Sequence, residues 1–183
     1  MLLRILLLWV ATASVVAAEP AITKPDVRDS LETVERTMSD RLRTNEVLST
    51  MYVLWRPRGA YLEGYGAVFT VELNLVPMGD ISPFQKAYSA EQKRQLNVRK
   101  RQRLEDLTEQ TRELLVEAAK QLNVVPEGEK VALAVTLFHY NWEDVTGLPS
   151  QLVVQAPRSA LLAGAAGNLS KAELKARVQE RQF

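Results

Sequence analysis

The segment Phe138-His-Tyr-Asn-Trp142-Glu-Asp144 holds the only histidine of the chain, with carboxylates at Glu143 and Asp144 just after it. A histidine beside acids is raw material for a proton-transfer dyad or a metal centre. Zinc centres draw on several His, Cys or carboxylate ligands, and this chain has one His and no Cys. A serine nucleophile of the hydrolase kind stands in a Gly-x-Ser-x-Gly turn, and none occurs. No metal, cofactor or catalytic set is therefore expected. What His139 offers is a ligand site near the strand ends, shared with Tyr61, Tyr65, Trp142 and Asp144, in a small-molecule-binding module or a hydrolase.

Other chemistry-bearing residues meet similar limits. A glycosidase pair needs two carboxyls facing each other across a cleft. Glu72 lies mid-strand and Glu143 and Asp144 lie in a loop, so Glu72 reads as solvent-facing or paired with a base. Convergence of Glu72, His139 and Asp144 in one cleft would favour the ligand site. Gly64-Tyr-Gly66-Ala-Val-Phe69 begins like a dinucleotide loop. That loop needs a third glycine and a helix after it; here Phe69 and a strand follow, so a turn or bulge is expected. Asn168-Leu-Ser170 matches a glycosylation sequon and also reads as a loop ending in a helix cap.

The strongest charge feature is Lys93, Arg94, Arg99, Lys100, Arg101 and Arg103, with no acid between them. Basic charge near a helix N-terminus is unfavourable, which marks the run as a solvated face or a docking surface. Its partner would be an acidic protein or an anionic envelope surface. On that reading, reversing the charge of Lys100, Arg101 and Arg103 leaves folding intact and weakens a salt-sensitive association.

The elements that carry these residues follow from periodicity. Leu31, Val34, Met38 and Leu42 recur at three and four residues and predict a helix over 26–49. A β-rich stretch follows: a strand over 51–55, a turn at Arg56-Pro-Arg-Gly59, a short return over 60–62, and a clear strand over 67–76. In that last strand Ala67, Phe69, Val71, Leu73 and Leu75 alternate with a more polar row. Pro77 to Phe84 reads as a loop.

A helix without Pro or Gly runs from about Ala90 to Leu122. Some 32 residues span roughly 48 Å, against about 33 Å for a ten-residue strand. Only the half from Leu104 has regular apolar spacing, so the basic half should overhang the sheet or bend near Asn97. Val131 to Tyr140 predicts a strand apolar on both faces, hence covered on both. A shorter strand covers 151–155, one or two helical turns 159–165, and a last helix runs from Ser170 to about Arg181, capped by Ser170 and Glu173.

These elements predict an α+β fold: an antiparallel or mixed sheet of about four to five strands, with helices on one face and one long helix partly overhanging. Residues 1–18 read as a cleaved signal peptide: Arg4, an uncharged and mostly apolar run from Ile5 to Ala18, then small residues at Val16-Ala17-Ala18. The run is shorter than the ~20 residues of a membrane span. Residues 19–25 read as a linker and 26–183 as one domain.

The whole chain carries net charge +1, and losing Arg4 with the leader leaves it neutral, which argues against nucleic acid as partner. With no Cys there are no disulfides, so stability rests on a core. The expectation is an exported domain, periplasmic or secreted, that acts by protein–protein or envelope-surface contact without catalysis. A homo-oligomer fits the same contact surface.

Overall fold

A computed structural model describes residues 24–78 and 87–183. The proposed leader, most of the linker and most of the loop after the second strand lie outside the described residues. In chain order the elements are α1 (Lys24–Thr44), β1 (Tyr52–Leu62), β2 (Gly66–Asn74), α2 (Ala90–Gln121), β3 (Lys130–Leu137), β4 (Gln151–Pro157), α3 (Arg158–Ala165), α4 (Lys171–Arg177) and β5 (Gln179–Gln182). A 3-10 turn, Leu48–Thr50, joins α1 to β1. The class is α+β, with one mixed five-stranded sheet in the order β1-β2-β3-β4-β5. The pair β2–β3 is parallel and the other pairs are antiparallel. The parallel pair requires a crossover, and α2 is that crossover.

The helices pack on one face. Leu31, Val34, Met38 and Leu42 of α1 meet Ala67, Phe69, Val71 and Leu73 of β2, Val131, Leu133 and Val135 of β3, and Leu107, Leu114, Leu115 and Ala118 of α2 in one buried cluster. Arg158, itself buried, donates from Nε to Ala119 O (3.0 Å) and from Nη1 to Val125 O (3.0 Å). A cation there answers the free carbonyls at the end of α2. Desolvation lowers the pKa of its guanidinium. Among the described residues no helix is long and apolar enough to cross a membrane.

Three expectations need correction. No turn forms at 56–59: β1 runs through it, with register shifts between Val53 and Arg58. Proline is tolerated there because β1 is an edge strand and the bulge absorbs it. The last helix ends at Arg177, and residues 179–182 pair with β4 as β5. Ladder hydrogen bonds and an ion pair from Glu180 to Arg112 (2.5 Å) outweigh the helix preference of Gln-Glu-Arg-Gln. β3 is central in the sheet, as expected, and Ala132 is buried, but among the described residues no element packs on its second face. Ala132, Ala134 and Thr136 face away from the helices, beside Thr70 and Gln155, and Thr136 is exposed.

The Gly64-Tyr-Gly66 stretch is a turn, as expected. Gly66 has φ +125°, and a Cβ there would collide with the Lys130 backbone, so only glycine lets β2 start beside β3. Phe69 is fully buried at the centre of the core. Phe69→Ala should cost about 3–5 kcal/mol in urea unfolding. A near-neutral result would mean that its face of β2 is not the core face.

Candidate functional site

Asn97, Lys100 and Arg101 stand at i, i+3 and i+4 on α2, so they share one helical face. The loop 138–149 lies over that face. Asn97 Nδ2 donates to Asp144 O (2.8 Å) and Thr146 O (3.1 Å). Arg101 donates from Nε to Asn97 Oδ1 (3.0 Å) and from Nη2 to Thr146 O (2.7 Å). Gly147 has φ +69°, an angle that favours glycine, and a Cβ there would also push the Arg101 guanidinium aside.

Lys100 is at the centre. Its Nζ lies 2.5 Å from Glu143 Oε2, donates to Phe138 O at 3.3 Å, and sits 3.4 Å from His139 Nδ1. The Lys100 and Glu143 side chains are 0% and 1% exposed. His139 Nε2 donates to Pro149 O (3.1 Å), because a carbonyl only accepts. Burial pushes the Glu143 carboxyl up, but the contacts of His139 and Lys100 pull it down further, and it ends below the usual carboxylate value. Burial lowers the Lys100 ammonium, and Glu143 offsets this only in part. Glu143 Oε1 is buried with no hydrogen-bond partner.

On the other side of the same segment, Phe138, Tyr140 and Trp142 alternate with these polar residues. Phe138 meets Tyr140 edge-on (4.9 Å between centroids), Tyr140 stacks on Trp142 (5.6 Å), and Trp142 stacks on Tyr88 just before α2 (4.4 Å). Trp142 stacks on both Tyr88 and Tyr140, so its ring is engaged in packing rather than left for a flat ligand.

No family model matches the chain, and neither a curated protein nor a solved structure is similar to it.

The structure separates the residues expected to form a ligand site. Tyr61, near the end of β1, and Tyr65, in the turn before β2, lie at the end of the sheet where β2 begins; Tyr61 donates to Glu129 Oε1 (3.2 Å) and Tyr65 to Gln155 Oε1 (2.5 Å). Burial, with Glu129 close by, raises the Tyr61 pKa. His139, Trp142 and Asp144 follow the far end of β3. In the parallel register, Gly66 to Leu73 is seven residue steps, about 23 Å. One small ligand cannot touch both groups. Hydrogen bonds from the Thr146 hydroxyl and from its N–H (3.0 Å to Oδ1) lower the Asp144 pKa. Glu72 faces away from the helices opposite Thr136, and no hydrogen bond or ion pair among the described residues joins it to His139 or Asp144.

The basic run is also redistributed. Lys100 is sealed and Arg101 holds the loop. Arg103 bonds Val47 O (3.4 Å) and the Thr50 hydroxyl. Arg94 pairs with Glu91 (2.6 Å), while Lys93 is half-buried and Arg99 exposed. Charge reversal at Lys100, Arg101 and Arg103 would therefore strike the fold rather than an association alone. The sequence pointed to a basic half that overhangs the sheet or bends near Asn97, but not to the loop that covers it. The i, i+3, i+4 set of Asn97, Lys100 and Arg101 was the signal.

Breaking the buried pair on one side leaves a bare charge. Lys100→Met should cost about 3–5 kcal/mol, and adding Glu143→Leu should recover most of that. A double variant no more stable than the single would refute the pairing. Because the folded state lowers the Glu143 pKa, its contribution is present above the unfolded carboxylate value and fades as pH falls through the folded one. The double variant should thus lose less stability than wild type between about pH 6 and about pH 3, read from urea midpoints.

Proposed function

We propose that this chain is an exported, non-enzymatic α+β domain that acts by contact, with a protein partner or an envelope surface. The observation that carries this reading is where the groups lie. The Lys100–Glu143 pair beside His139 is closed to solvent and spent on holding a loop. The large apolar side chains Tyr52, Trp55 and Phe183 are instead bare, at 61%, 71% and 63% exposure. A functional acid–base centre needs access to a substrate, whereas exposed aromatics are common anchors of protein interfaces. The reading as a small-molecule site or hydrolase around His139 loses its support, because its residues divide between the two ends of the sheet.

Export is supported by the leader pattern at 1–18 and is compatible with the lack of cysteine, which leaves no thiol to form a wrong disulfide outside the cytoplasm. Protein recovered from the native host should begin at Glu19 and fractionate outside the cytosol; intact chains in the cytosol would refute export. As bait in an envelope extract, the mature chain should retain a species that Trp55→Glu does not. Equal retention by both baits would exclude this surface.

A further inference from the structure

The sheet face turned away from the helices has a floor and two rims, and no described element packs on it. Trp55, Glu72, Thr136 and Gln151 form one row across it. Phe183 extends that row by exchanging hydrogen bonds with Gln151 (3.0 and 3.3 Å). The next row is Arg58, Thr70, Ala134, Val153 and Arg181. Each rim thus holds one exposed aromatic and one arginine: Trp55 and Arg58 on β1, and Arg181 on β5 with Phe183 just after it. Between them the floor is mostly small side chains.

The dimensions select the occupant. Four strand spacings separate the rims by about 19 Å, and a helix with its side chains is about 10–12 Å across. One end is closed by a polar bar, in which Tyr65 donates to Gln155 and Gln155 Nε2 donates to Gln179 Oε1 (3.0 Å). From the Gln155 row to the Gln151 row is about 13 Å, or some nine residues of helix, and beyond the Gln151 row stand the rings of Phe138, Tyr140 and Trp142.

The charges select its chemistry. Both rims are cationic, although the Arg58 guanidinium also reaches Glu35 round the strand edge at 3.6 Å. Glu72 is the one acid in these two rows. A second copy laid face to face with its strands aligned would set arginine rims against arginine rims.

Building on the contact reading, we propose that this trough docks an amphipathic helix of an acidic protein partner. The apolar stripe of that helix would lie on Thr70, Ala134 and Val153 between Trp55 and Phe183. Its flanking carboxylates would meet Arg58 and Arg181, and a donor at mid-stripe would meet Glu72.

The probe is a labelled helical peptide of about 14 residues, with a Leu/Ala stripe, one central Asn and Glu on both flanks, titrated with the mature chain by fluorescence anisotropy. A second peptide replaces each Glu with Lys. The Glu peptide should saturate and weaken at least about tenfold between about 0.05 M and about 0.5 M salt. The Lys peptide should not saturate. Arg181→Glu and Phe183→Ala should each weaken the Glu peptide about tenfold, with Tm unchanged within about 2 °C.

No saturation, or saturation untouched by these two substitutions, overturns the helix-docking proposal. Sedimentation of the mature chain then separates the outcomes. If Trp55→Glu abolishes a concentration-dependent association, the trough meets a second copy and the contact reading survives. If Trp55→Glu alters neither sedimentation nor retention from envelope extract, both readings fall.

Discussion

A lysine ammonium and a glutamate carboxylate meet 2.5 Å apart, out of water, between α2 and the loop that follows β3. Removing each charge from solvent costs several kcal/mol, and attraction repays this only when the remaining donors and acceptors are met. The Lys100 Nζ has the Phe138 carbonyl, the Glu143 carboxylate and the His139 ring around it. Glu143 Oε1 has no hydrogen-bond partner among the described residues, so the pair is met on the lysine side and only half met on the carboxylate. Asn97 and Arg101 add direct bonds to the same loop. The loop can hold one position on the helix and no other, because a one-turn slip would strand both charges. Since α2 is also the crossover that makes β2 and β3 parallel, this contact ties the far end of the sheet to the element that sets its topology.

The sheet is asymmetric as a result. One face is filled by α1, α2 and α3, and the far end of β3 is closed by the pinned loop and its stacked rings. The edges are guarded in different ways. β1 carries Pro57, a bulge, and the Gly59 N–H bonded to Glu35 Oε1 (2.8 Å); β5 is short, charged and exposed. Such edges resist indiscriminate strand addition. The broad surface left over is the second face of the sheet, and its exposed aromatics sit at its margins.

Much of the fold was legible in the chain. The α1 stripe of Leu31, Val34, Met38 and Leu42 and the β2 row of Ala67, Phe69, Val71 and Leu73 are buried as their periods require. The unbroken run without Pro or Gly became α2, within a residue of the expected bounds. These features are local, since one face repeating along one element is visible without its neighbours. The candidate site was less legible. A run of bases looks solvated whether or not one of them has a carboxylate partner, and the partner of Lys100 is 43 positions away. The aromatic column at 138, 140 and 142 was visible as alternation, but its end ring, Tyr88, lies outside that segment.

Sequence alone determined the α+β class, the elements that carry the core and the scarcity of reactive side chains, because composition and hydrophobic period are properties of single segments. Tertiary structure alone decided that Lys100 is sealed, that Tyr65 and His139 lie at opposite ends of the sheet, and that residues 179–182 form a strand. Each of these depends on pairing between distant segments, where desolvation and ladder hydrogen bonds outweigh what a residue prefers by itself.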